Sequence, residues 1–116
     1  MTIRKLAVSA AALAFACLSH VASASPEAWE RADFEYQRQN FSAALEIYQQ
    51  LAASGDDRAA ELAGQMYAHG ESLYGDSVRR DPAKASQLLS QAARAGRPVA
   101  IQLLGKTNVA STAPVR

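Results

Sequence analysis

The sequence predicts an all-α fold, a short α-solenoid of about two antiparallel helix pairs plus a terminal helix. Three observations predict it. Phe41, Ala44, Leu45, Tyr48, Leu51 and Ala52 recur at the spacing of one helix face. No segment shows the strict polar–apolar alternation of a half-buried strand. The chain also matches itself at an offset of 41 residues: Gly55 falls on Gly96, Ala59 on Ala100, Leu62 on Leu103 and Gly64 on Gly105, with Ala44 on Ala85, Tyr48 on Leu89 and Leu51 on Ala92 upstream. The matching residues are the small and apolar ones that pack helix on helix, which implies helix pairs stacked side by side.

The first 24 residues read as a secretory signal peptide. Arg4 and Lys5 precede an apolar run, Leu6 to Leu18, which is too short for the roughly 20 residues that span a bilayer. Ala22 and Ala24 supply the small residues of a cleavage site after Ala24. Cys17 does not make a lipoprotein signal, because Leu13 lies one place too early and Phe15 is bulky. The expected location is therefore outside the cytoplasm, in a bacterial periplasm or secreted, with no membrane attachment after cleavage. Removal of 1–24 takes Lys+Arg from 12 to 10 against 11 acids, so the net charge turns from +1 to −1. Cys17 and His20 leave with it, and His69 is the one histidine left. This balance provides no basic footprint for nucleic acid and little material for a metal site.

Ser25-Pro26-Glu27 starts the first helix: a capping hydroxyl, a proline at the first helical position and an acid at the positive dipole end. Trp29, Ala32 and Tyr36 follow at helical spacing, and Asn40 breaks the segment. The second helix carries the Phe41–Ala52 stripe and stops at Gly55. Asp56 and Asp57 cap the third, from about Arg58 to His69, which Gly70 ends. A loop runs to Asp81. Asp81-Pro82 opens the fourth helix, which ends at Gly96. A shorter helix, 98–104, comes next. The repeat domain spans 25–105, and 106–116 reads as a flexible tail.

Residues 59–96 carry a more specific pattern: Ala59, Leu62-Ala63-Gly64, Tyr67 and Gly70, then Val78 and Asp81, Lys84-Ala85, Leu88, Ala92-Ala93 and Gly96. This resembles the Sel1-like repeat, a relative of the tetratricopeptide repeat. Ser77 stands where that pattern has a glycine, and the loop at 71–76 is about five residues longer than the family's. Residues 26–55 resemble a looser tetratricopeptide-like copy, with Ala32-Asp33 in place of Leu-Gly. The resemblance implies a protein–protein adaptor that binds another protein or peptide on a concave face, lined mainly by the first helix of each pair, 26–39 and 58–69.

Candidate partner contacts are Arg31, Arg38, Glu61, Gln65, Tyr74, Arg79 and Arg80. Tyr74 beside the arginines has the composition of an interface anchor, or else folds back over the helix pair, as Val78 is expected to do. Trp29 and Tyr36 read as core or groove residues, and Tyr48 and Tyr67 as core. Glu27 and Glu30, with Asp33 and Glu35, read as solvated helix charges; Glu27 can meet Arg31 one turn on. His69 has neither a nucleophile nor an orienting partner in the sequence. No phosphate loop, nucleophile elbow or metal-ligand spacing occurs. No catalytic residue, cofactor or metal is expected, and the protein reads as a non-enzyme. Two other roles stay open: a self-associating envelope accessory, or a small inhibitor of a periplasmic or host enzyme. About two repeats are fewer than a solenoid usually needs, so the end lined by Ile101, Leu103 and Leu104 is expected to dock on a partner or a second copy of the chain.

Overall fold

The structure, a computed structural model, describes residues 25–111, and side chains through residue 106. Residues 1–24, expected to be a signal peptide and including Cys17, and the last five residues lie outside the described residues. The described chain is all-helical: α1 Pro26–Gln37, α2 Phe41–Ala53, α3 Asp57–His69, α4 Glu71–Tyr74, a 3-10 turn Gly75–Ser77, α5 Pro82–Arg94 and α6 Pro98–Ser111.

Capping follows the expected chemistry. The side chains of Ser25, Asp56 and Asp81 accept from the amides of Ala28, Ala59 and Lys84, each three residues on. Asn40 makes no such bond. The break between α1 and α2 is instead carried by Gln39, at φ 65°. Glu27 takes a hydrogen bond from the Ser25 hydroxyl at 2.7 Å, where the sequence suggested a meeting with Arg31.

α3 is the centre of the packing. It lies against α2 and α5, and α5 in turn carries α6, which also touches α3. The core is Leu45, Tyr48, Leu51, Met66, Val78 and Leu89 set among buried alanines such as Ala44, Ala59, Ala63, Ala85 and Ala92. Leu62, Leu88 and Ala93 pack against it half-buried. Gly64 is what lets α5 approach. A Cβ there would lie 2.7 Å from Leu89 Cγ and 3.2 Å from the Leu89 amide nitrogen.

The offset-41 match is visible in the backbone. Gly55 and Gly96 have φ of 100° and 82°. The amides of Asp56 and Arg97 return to Leu51 and Ala92 O, at 3.0 and 3.1 Å. Ala59 and Ala100 are both fully buried.

Two expectations are corrected. The segment before Asp81 is not an open loop. Gly70, at φ 53° and packed against the Arg80 backbone, turns the chain out of α3. Ser72 Oγ then donates to His69 O at 2.7 Å. The additional residues form α4 and the 3-10 turn, and they drop Tyr74 and Val78 into the core. The last helix also does not stop at Leu104 but continues to Ser111. Gly105 alone does not terminate it, and the first proline after Pro98 is Pro114. Most of the expected tail up to Ser111 is therefore helix.

Candidate functional site

The surface that remains after this packing has a definite composition. On α3, Arg58, Leu62, Gln65 and His69 fall at spacings of four, three and four, one strip of the helix. They stay half or fully exposed on the most heavily packed helix of the molecule. One end of the strip is bordered by α1: the Arg58 guanidinium lies 4.3 Å from the Trp29 ring centre. Trp29 Nε1 donates to Asp56 at 2.7 Å, so this half-buried ring is fixed in place. The other flank is bordered by α6.

At its His69 end the strip opens into a cleft of about 170 Å³ between α3, α5 and α6. His69, Arg80 and Lys106 stand around it, over an apolar floor that includes Ala68, Pro82 and Ala85. Arg80 also belongs to a second hollow, of about 310 Å³, with Arg79, Lys84 and Asp81 over Tyr67 and Val78. The Lys84 ammonium lies 5.3 Å from the Tyr67 ring centre. A third hollow, between α2 and α5, is faced by Gln49, Gln87 and Gln91.

The acids nearest these cations are already engaged. Asp81 takes the Lys84 amide at 3.0 Å, and Glu71 takes the Arg80 amide at 2.9 Å. That backbone bond, helped by the charges of Arg79 and Arg80, holds the Glu71 carboxyl below its ordinary pKa. Arg97–Glu61 is the one salt bridge among the described residues. The positive groups of the two hollows therefore face solvent without an ion-pair partner within the described chain.

Of the expected contact residues, Arg31, Arg38, Arg79 and Arg80 are exposed and Gln65 is half-exposed. Arg38 lies over the Phe34 ring on α1, 5.3 Å from its centre, while Arg79 and Arg80 belong to the hollows beside α5. Two expectations are overturned. Glu61 is buried: it takes Arg97 Nε and Nη2 at 3.1 and 2.8 Å and the Ala100 amide at 3.0 Å. It anchors α6 to α3 and has no free oxygen to offer a partner. Tyr74 is also buried, taking the inward of its two expected placements and so leaving the set of contact residues. Its hydroxyl lies 3.2 Å from that of Tyr36, and its ring meets Phe41 edge-on at 4.9 Å. Leu73, its neighbour, is the large apolar side chain of that turn that stays exposed, at 60%. Asp33 is not simply solvated, since it accepts from the Tyr48 hydroxyl at 2.8 Å.

Lys84 and Lys106 were not singled out by sequence reasoning. Lys84 read as part of the packing pattern and Lys106 as tail, so only the fold brings them to Arg80. Among the described residues, no group of three or more His, Cys, Asp or Glu could hold a metal ion. Nor is any described helix long and apolar enough to cross a membrane. No protein-family model, curated protein or solved structure matches the chain.

Proposed function

We propose that the protein is an exported, non-enzymatic interaction module, a tetratricopeptide-like adaptor that binds a partner protein along the face lined by α1 and α3. The observation that carries this reading is the α3 strip. A central helix packed on two sides normally has little accessible surface to spare. Here Arg58, Leu62, Gln65 and His69 form a mixed polar and apolar line bordered by neighbouring helices, the composition of a recognition groove. The order of packing, α1 on α2, α2 on α3, α3 on α5 and α5 on α6, supports the repeat reading. The test is a photo-cross-linking residue placed at Gln65 and, separately, at exposed Gln50 on α2, in cells that export the full chain. A discrete heterologous adduct from Gln65 and none from Gln50 is expected. No adduct from either, or the same adducts from both, sinks the proposal.

Self-association is a second reading, and one feature favours it. Gly105 matches Gly64 in the internal repeat, but among the described residues nothing from another helix packs within 4 Å of where its Cβ would be. Ile101 is 52% and Val99 38% exposed on the same helix. A cross-link from Ile101 at twice the chain mass would select this reading.

A further inference from the structure

We infer that the two cationic hollows flanking Arg80 form one track that binds an acidic peptide segment of a partner protein. The inference rests on the interaction reading above and names the chemistry of the partner. Arg80 lines both hollows, so they are neighbours across its side chain. Lys106 and His69 lie on one side of it, Arg79 and Lys84 on the other. The chain without its signal segment carries a net charge of −1, so this density of positive groups is local.

Three features select a peptide carboxylate. The first is charge: four permanent cations and an imidazole line the two hollows against one lining acid, Asp81, and Glu71 lies beside them on the Arg80 amide. An incoming carboxylate can take charge-assisted hydrogen bonds from cations that form no ion pair among the described residues. The second is size. The cleft of about 170 Å³ falls below, and the hollow of about 310 Å³ only reaches, the roughly 300–1,000 Å³ that encloses a small-molecule ligand, so each suits a side chain or two of a longer segment. The third is the floor. Ala68, Pro82 and Ala85 under one hollow, and Tyr67 and Val78 under the other, place apolar contacts beneath the charges. A segment that carries both acidic and apolar side chains can meet the cations and the apolar floor of the same hollows together.

Fluorescence anisotropy on protein purified from expression of the full chain tests this. The probe is a fluorescein-labelled octapeptide alternating glutamate and leucine, acetylated and amidated so that only side-chain carboxylates are offered. Saturable binding that weakens with added salt is expected. Arg80→Glu should weaken it at least about tenfold, and Lys84→Glu and Lys106→Glu each severalfold. Arg94→Glu, at the opposite end of α5, should leave it unchanged. Arg80→Gln, with circular dichroism to verify the fold, guards against a folding defect in the charge reversal. Equal binding of the glutamine–leucine octapeptide overturns the inference, as does an unchanged affinity in the Arg80 and Lys106 variants. Displacement by millimolar inorganic phosphate at constant ionic strength overturns it too, in favour of a small-anion site. If the octapeptide fails while Gln65 still cross-links, the acidic-segment inference falls and the adaptor reading stands. Failure of both removes both.

Discussion

Gly64 and Glu61 sit one turn apart on α3 and hold different neighbours by different means. Gly64 acts through what it lacks. Gly64→Ala pushes a methyl group against Leu89, and the overpacking, about 1–3 kcal/mol, outweighs the roughly 1 kcal/mol that alanine contributes to a helix. Urea denaturation should show a net loss of up to about 2 kcal/mol, and the loss should shrink in a Leu89→Ala background, where the obstructing side chain is gone. Glu61 acts through three donors. Glu61→Ala leaves the Ala100 amide without its acceptor and should cost about 2 kcal/mol, since a hydrogen bond to a charged group contributes about 1.5–3. Arg97, with 37% of its side chain exposed, contributes little as a bare ion pair. Tyr48 and Tyr74 set an alkaline limit. Burial, and then hydrogen bonds to Asp33 and Tyr36 respectively, raise both phenols above the ordinary tyrosine value near 10. A phenol whose folded pKa is raised contributes stability below pH 10 that is lost as pH climbs through that value, because the unfolded chain ionises first. Thermal melts from pH 9 to 11.5 should fall in this way, and Tyr48→Phe with Tyr74→Phe should flatten the decline.

At the scale of elements, the connector from Gly70 to Asp81 is where sequence and structure part company. The main helices were legible because their caps and stops are local: Ser25, Asp56 and Asp81 each cap within their own segment, and Gly55 and Gly96 end helices through backbone conformation alone. The connector was not legible because its order comes from tertiary contacts. Tyr74 turns inward because Tyr36 and Phe41, more than thirty residues earlier, provide its ring contacts. Glu61 was misread for the same reason: its partners Arg97 and Ala100 lie beyond the reach of any helical periodicity. The cationic track was half legible, Arg79-Arg80 as a basic spot, while Lys84 and Lys106 join only once α5 and α6 have folded beside it. Glu71 closes the connector by accepting the Arg80 amide. Its folded pKa is lowered, so this contribution is present above the ordinary carboxyl value of 4.5 and is lost as pH falls through the lower folded value. Hydrogen exchange at the Arg80 amide should accelerate, relative to the intrinsic rate, as pH drops below 4.5. Glu71→Gln should abolish that acid dependence.

At the scale of the whole molecule, the core is thin. Among the described residues, nine of the seventeen buried apolar ones are alanines, each burying little area, so the hydrophobic term per residue is small. The protein should melt within or below the mesophile range of about 45–65 °C, and saturating octapeptide should raise the midpoint because it binds only the folded state. Calorimetry with and without the peptide measures both. A midpoint far above that range would show that the alanine-rich helix contacts stabilise more than their area suggests.

The carboxylate that α6 borrows from α3 also fixes an order of events. A helix usually takes its cap from the residue just ahead of it, so it can begin to form as soon as it is synthesised. The residue ahead of α6 is Arg97, which has no acceptor in its side chain, and the Ala100 amide is met from thirty-nine positions upstream. Until α3 has formed, the first turn of α6 has no acceptor waiting for it. A chain that emerges amino end first therefore adds this helix after α3, onto a surface already assembled. Any copy stalled before that step presents the bare side of α5 to its surroundings.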